Sequence, residues 1–146
     1  MKIGIGNDHS ALELKAEIIS FLKEKGHEVV DYGTNSSESC DYPVYGEIVA
    51  RAVAAGEVEQ GILICGTGLG ISLAANKVKG AYAALITDVY SAERARKSNN
   101  ANIACFGAFT IGIRLMERLA ETFLSSEFTP GCASQPKIDR IAAYER

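Results

Sequence analysis

Apolar residues along this chain fall into two alternating rhythms: short continuous runs, and longer stretches that repeat every three or four positions. Residues 2–6 (Lys-Ile-Gly-Ile-Gly) predict a short buried strand, followed by a loop at Asn7-Asp8-His9. Ser10-Ala11-Leu12-Glu13 has the S-x-x-E form of a capping box, which predicts a helix start. Leu14, Ile18, Phe21 and Leu22 share its apolar face, and Gly26 supplies its stop. Residues 27–32 predict a second strand and residues 33–41 a polar loop. Pro43 then suits the first turn of a helix carrying Ile48, Val49, Ala52 and Val53, which ends at Gly56.

The run Gly61-Ile62-Leu63-Ile64-Cys65 has no polar alternation, the mark of a central parallel strand covered on both faces. It leads straight into Gly66-Thr67-Gly68-Leu69-Gly70, and a small-residue helix is predicted over 71–76. A fourth strand is predicted over 81–86, then a helix capped by Asp88 and Ser91. A fifth strand over 103–106 precedes a helix capped by Thr110, in which Leu115, Met116, Leu119, Ala120, Phe123 and Leu124 share one face. A last helical stretch, 136–146, carries Ile138, Ile141 and Tyr144 beyond an already complete domain, which suits packing on a partner subunit.

Strands alternating with helices imply right-handed parallel crossovers. The expected fold is α/β: a three-layer α/β/α Rossmann-like sandwich with a five-stranded parallel sheet, forming a single domain over residues 1–146 with a C-terminal helical tail. Such sheets bind ligands beyond the carboxyl ends of their strands, which directs attention to residues 7–10, 33–43, 65–70, 87–91 and 106–110. Fifteen basic against 18 acidic residues leave a net charge of −3, no footprint for nucleic acid or an anionic membrane. With no signal segment and no membrane-length apolar stretch, a cytoplasmic location is expected. Cys40, Cys65, Cys105 and Cys132 are scattered without a C-x-x-C pair, and His9 and His27 lie at no metal-ligand spacing with them. Neither a disulfide framework nor a metal site is expected.

Cys65 ends the central strand just before a glycine loop that opens a helix, a position that favours thiolate. Glycines at 66, 68 and 70 let the backbone turn tightly and aim N–H groups into one space, a nest for an oxyanion or a phosphate. From position alone, Cys65 reads equally as a buried small hydrophobe and the glycines as a plain turn. The loop is not a dinucleotide fingerprint, because Ile71 stands at the sixth position, and no Walker lysine follows. Asp8 and His9, from the end of the first strand, converge on it. Asp8 opposes a thiolate by charge, which leaves it to hold a substrate hydroxyl, to orient the sulfur or to cap the helix. His9 either faces an anion or is a loop histidine. There is no G-x-S-x-G elbow. Arg94, Arg96 and Lys97 read as a solvated face, and Asn99-Asn100-Ala101-Asn102 either caps a helix or brings amides to an enediolate oxygen near the glycine loop.

Taken together, these residues resemble the ribose-5-phosphate isomerase B family, which also contains galactose-6-phosphate and allose-6-phosphate isomerase subunits. The carriers are Gly6-Asn7-Asp8-His9 with Leu14-Lys15, Asp31-Tyr32-Gly33-Thr34, Asp41-Tyr42-Pro43, Ile64 to Ile71, Ala74-Ala75-Asn76-Lys77 and Asn99-Asn100-Ala101-Asn102. The resemblance implies aldose–ketose isomerisation of a sugar phosphate through a cis-enediolate, with no metal and no organic cofactor. By the same resemblance Cys65 is the base between C1 and C2, Thr67 assists at the oxygens, and Asp8 holds substrate hydroxyls. The amides of Gly66, Gly68 and Gly70, with Asn99, stabilise the enediolate. It further implies a homodimer or homotetramer with the active site between two subunits, which the tail after Gly131 suits.

Two departures from the family pattern stand out. Ser98-Asn99-Asn100 replaces a triplet in which many members place a histidine assigned to opening the sugar ring. Phe109, Ala133 and Lys137 occupy places where the family tends to carry phosphate-binding arginines. His9, Lys137 and Arg140 remain to meet a phosphate, with a geometry unlike a guanidinium fork. The substrate expected is ribose 5-phosphate, interconverted with ribulose 5-phosphate. The alternatives are a linear tetrose phosphate or a hexose 6-phosphate, or a non-catalytic sugar-phosphate-binding paralogue or partner subunit.

Overall fold

The central strand divides its side chains between two cores. Every residue of β3 (Gln60–Cys65) is buried, with Ile62 and Ile64 in one apolar cluster and Leu63 and Cys65 in the other. This is the period-two geometry of a strand covered on both faces. Around it, in the computed structural model, which describes residues 1–145, lie β1 (Lys2–Asn7), β2 (Glu28–Asp31), β4 (Ala83–Leu85) and β5 (Ile103–Gly107). All pairings are parallel and the strand order is β2-β1-β3-β5-β4.

The helices are α1 (Leu12–Glu24), α2 (Tyr42–Ala54), α3 (Leu69–Ala75), α4 (Val89–Lys97), α5 (Ile113–Ser125) and α6 (Gln135–Ala143). Apolar residues of α1, α4 and α5, among them Ile18, Leu22, Met116, Leu119 and Phe123, close one face of the sheet over Ile3, Ile5 and Phe106. Residues of α2 and α3, including Val49, Val53, Ile71 and Ala75, close the other over Leu63, Cys65, Ile103 and Cys105. The result is the three-layer α/β/α sandwich expected, with its parallel five-stranded sheet.

Local chemistry moves several boundaries. The S-x-x-E segment is not a capping box: Asp8 is the cap, its Oδ1 accepting the Ser10 N–H at 3.0 Å and the Ser10 hydroxyl, and a 3-10 turn over His9–Ala11 precedes α1. Thr110 does not cap α5, which opens after Gly112; its hydroxyl donates to the Gly107 carbonyl at 3.2 Å instead. α3 starts earlier than residue 71, because Gly68 at φ +77° takes the sharp turn and frees Leu69 to begin the helix. β4 is shorter than 81–86. The Asn76 side chain pairs with both the N–H and the carbonyl of Ala83, and the Asn102 side chain accepts the Tyr82 N–H, so side chains satisfy this edge. Arg96 is not part of a solvated face: it donates to the carbonyls of Ala101 (2.6 Å) and Ser126 (3.3 Å) and lies over the Phe123 ring.

The tail helix α6 buries no residue against its own chain. It is tied down by Glu145, whose carboxylate accepts from the Tyr82 hydroxyl and the Gly80 N–H. Between α6, β4 and α4 it leaves a cavity of about 1020 Å³. Arg146, the last residue of the predicted tail, lies outside the described residues.

Candidate active site

The chain leaves β1 for β2 on one side and later returns to lay β3 on the other, so the strand order reverses between β1 and β3. Loops diverge there and open a crevice at the carboxyl ends. Asp8 follows β1 and Cys65 ends β3, which sets them side by side at this point. Asp8 is almost fully buried, and its N–H donates to the Ile64 carbonyl at 3.2 Å, locking it to the neighbouring strand.

Cys65 is buried, and its Sγ accepts the Gly68 N–H at 3.2 Å. A donated N–H of this kind stabilises negative charge on sulfur. The φ of +77° at Gly68 aims that N–H back at the sulfur, and a Cβ there would strike the Phe106 backbone at 2.8 Å. The Gly68 glycine is therefore a requirement of the loop. Among the described residues, no backbone carbonyl accepts the N–H of Gly66 or Thr67, so these donors remain for a ligand. With only seven residues in α3, such local amides outweigh any macrodipole. Thr67 is exposed, and its Oγ1 accepts the Leu69 N–H at 3.2 Å, which leaves the hydroxyl proton facing solvent. The second sulfur on this face, Cys105, is fully enclosed, and burial together with the nearby Cys65 pushes its thiol far up. Cys105 is therefore inert.

The walls of the crevice come from three further loops. His9 Nδ1 accepts the Cys40 N–H at 3.2 Å, which puts the ring proton on Nε2 and ties the loop after β2 to the site. The same loop is pinned by buried Lys15, which reaches Asp31 (3.1 Å), the Thr34 carbonyl (2.6 Å) and Asn35 Oδ1 (2.7 Å). Tyr42, half-buried, lies against Gly70, where a Cβ would fall 2.2 Å from the ring. Phe109 lies against Gly66, its ring 3.0 Å from where a Cβ would stand. The sequence assigned no site role to Tyr42, and Ser10, read as the start of a capping box, instead donates to Asp8; the signal for Tyr42 was an aromatic residue at the proline-marked start of a helix facing the glycine loop.

Asp8, His9, Cys65, Gly66, Thr67, Gly68 and Gly70 are thus gathered at one end of the sheet. Asn99, Lys137 and Arg140 are not. Asn102 hydrogen-bonds to Gly61 and Tyr82 where β3 and β4 begin, so Asn99 lies near the amino ends of the strands. The six residues of β3 separate the two ends by about 20 Å. Lys137 and Arg140 are exposed on α6, the helix that borders the same cavity as Asn99. Within one chain, then, the Asn99 amide does not reach the glycine loop as the sequence suggested. Asn100 adopts φ +50° at the end of α4, and Asn102 clamps β4 through the Tyr82 N–H and the Gly80 carbonyl (2.9 Å), both structural tasks.

Comparison with known proteins converges on one family. The model described as Ribose/Galactose Isomerase matches residues 3–141. Ribose-5-phosphate isomerase B of Escherichia coli (strain K12) is 45% identical, over 99% of this chain and 97% of that protein. D-erythrulose-4-phosphate isomerase of Pectobacterium atrosepticum is 42% identical, over 99% and 95%. The solved structure of Clostridium thermocellum ribose-5-phosphate isomerase B superposes with a TM-score of 0.95 at 48% identity, covering 98% of this chain and 96% of that one.

Proposed function

The chain belongs to the ribose/galactose isomerase family, and from that membership we propose that it interconverts ribose 5-phosphate and ribulose 5-phosphate by moving one proton between C2 and C1. The observation that carries the reading is the sulfur of Cys65, buried beside Asp8 and held by the Gly68 N–H at 3.2 Å. The Cys65 thiolate removes the C2 proton of the open-chain aldose, and the electron pair moves toward the C1 carbonyl oxygen to give a cis-enediolate. The thiol returns the proton to C1 while a hydroxyl proton passes from O2 to O1, so atoms and charge balance. The free N–H groups of Gly66 and Thr67 meet the developing oxyanion, where prearranged donors contribute most. The Thr67 hydroxyl assists at the same oxygens, and Asp8 holds the sugar hydroxyls. This scheme uses side chains and amides only.

A second copy of the chain completes the site in this reading. Asn99 lies at the wrong end of its own sheet, Lys137 and Arg140 are carried on α6 beside the β4 edge, and α6 has no buried residue of its own. Leu69 and Leu73 on α3, with Val44 and Ile48 on α2, leave an apolar surface exposed beside the crevice. A homodimer or homotetramer acting in the cytoplasm accounts for all three. A four-carbon substrate is the second reading, favoured by Ser98, whose side chain has no ring nitrogen with which to accept or deliver a proton.

The test is solvent exchange: purified protein in deuterated water with tetrose, pentose and hexose phosphates, scored for deuterium at C1 and C2 and for isomer formation. Exchange with ribose 5-phosphate that falls by at least about 10³-fold in Cys65→Ala supports the proposal. Exchange confined to a tetrose phosphate moves the assignment to the second reading. Exchange undiminished in a folded Cys65→Ala protein refutes the mechanism for both.

A further inference from the structure

We infer that Glu145 and Tyr82 are positioning residues: together they form a latch that fixes α6, and so set where Lys137 and Arg140 stand over the crevice of a second copy of the chain. The nine residues of α6 are too few to hold a helix alone in water, and none is buried against the body of the chain. Within itself the segment is well stapled, since Gln135 Oε1 accepts the Gly131 N–H at 3.0 Å and Gln135 Nε2 donates to Asp139 at 2.8 Å. Its ties to the sheet are few. Among the described residues, Glu145 makes every hydrogen bond from residues 131–145 to the chain before residue 129, its carboxylate accepting from the Tyr82 hydroxyl and from the Gly80 N–H at 3.4 Å. No ion pair among those residues adds to them. The cavity of about 1020 Å³ beside α6 leaves the helix without packing there, so its position turns on one carboxylate.

The side that receives the latch is rigid. Asn102 Oδ1 accepts the Tyr82 N–H at 2.8 Å, Asn102 Nδ2 donates to the Gly80 carbonyl at 2.9 Å, and the N–H groups of Asn102 and Ile103 both donate to the Tyr82 carbonyl, at 2.9 and 3.1 Å. Asn76 clamps the next residue, Ala83, through both its backbone groups. The latch therefore joins the far end of α6 to a segment that cannot yield. Lys137 and Arg140 precede Glu145 by roughly 12 and 7 Å along the helix axis, so a swing at Glu145 carries both with it. Neither cation has an ion-pair partner among the described residues. Two flexible cations lose much of their attraction for an anion to the cost of ordering them, and a helix already fixed in place removes that cost.

This inference rests on the isomerase reading and its second copy, and the experiment separates them. Glu145→Ala is expected to raise KM for ribose 5-phosphate and Ki for inorganic phosphate together, by about tenfold, the scale of one hydrogen bond to a charged group, with kcat within about twofold. Glu145→Gln, which keeps a carbonyl acceptor, restores both. Tyr82→Phe matches Glu145→Ala, and adding Glu145→Ala to a Lys137→Ala/Arg140→Ala protein changes nothing further. A mixed dimer of one Cys65→Ala chain and one Glu145→Ala chain shows which copy the latch serves: its one live crevice faces the intact α6 of the Cys65→Ala chain, so KM is that of the wild type. A raised KM there, an unchanged Ki for phosphate in Glu145→Ala, or amide exchange over residues 135–143 as slow in Glu145→Ala as in the wild type overturns the inference and leaves the isomerase reading intact. A wild type that exchanges no sugar phosphate, while the α6 amides still loosen in Glu145→Ala, reduces the latch to a structural tie and overturns both.

Discussion

The packing of Tyr42 against Gly70 yields a prediction whose sign depends on context. A Cβ added at Gly70 would stand 2.2 Å from two ring carbons of Tyr42 and 2.3 Å from its oxygen. Ordinary contact needs about 3.4 Å, so the ring must withdraw by about 1.2 Å from a half-buried position packed against the α2/α3 core. Overpacking of this kind costs about 1–3 kcal/mol. Gly70 is helical with ordinary φ, so alanine also gains about 0.5–1 kcal/mol of backbone entropy. Gly70→Ala should therefore destabilise the wild type by about 1–2 kcal/mol. In a Tyr42→Ala background the clash is gone and only the gain remains, so the same substitution should stabilise. Urea denaturation of the four proteins closes the cycle, with a coupling of about 1–3 kcal/mol. If Gly70→Ala has the same sign and size in both backgrounds, Tyr42 does not lie on the loop and the site described above is wrong. Isomerase activity should follow: a displaced ring shifts the loop that carries the Cys65 contact, so Gly70→Ala loses kcat in the wild-type background.

Two further outcomes follow from buried polar groups. Lys15 is buried, and three acceptors depend on it. Lys15→Met should cost about 3 kcal/mol in urea denaturation, since it strands Asp31 and a buried carbonyl, and a cost near zero would show that the loop after β2 is anchored elsewhere. Burial, reinforced by the hydrogen bond to Glu145, pushes the Tyr82 hydroxyl from its ordinary 10.0 up to about 12. Because the folded value is the higher one, its stabilisation is complete below pH 10 and is lost as pH rises toward 12. Ultraviolet titration should show a tyrosine phase near pH 12 that is absent in Tyr82→Phe, and α6 should become accessible to protease over the same pH range. A Tyr82→Phe protein with an unchanged titration would place the late group elsewhere.

The sequence by itself determined the α/β class, the number of strands, the central position of β3 and the pairing of Asp8 with Cys65. These follow from local physics: an unbroken apolar run must be covered on both faces, and parallel crossovers bring strand ends to one edge. Glycine spacing marked the loop because positive φ at Gly68 is a property of the residue itself. Other assignments depended on competition between partners distant in sequence. Asp8 rather than Ser10 supplies the side-chain cap, and it caps the 3-10 turn that leads into α1, while the length of β4 is set by Asn76 and Asn102 reaching its edge. No periodicity encodes these contacts. The placement of Tyr42 and Phe109 over glycines, the confinement of Cys105, and the distance of Asn99 and α6 from Cys65 likewise emerged only from the tertiary structure. Strand order, which no local pattern specifies, sets which loops face one another and so divides the functional residues between opposite ends of the sheet.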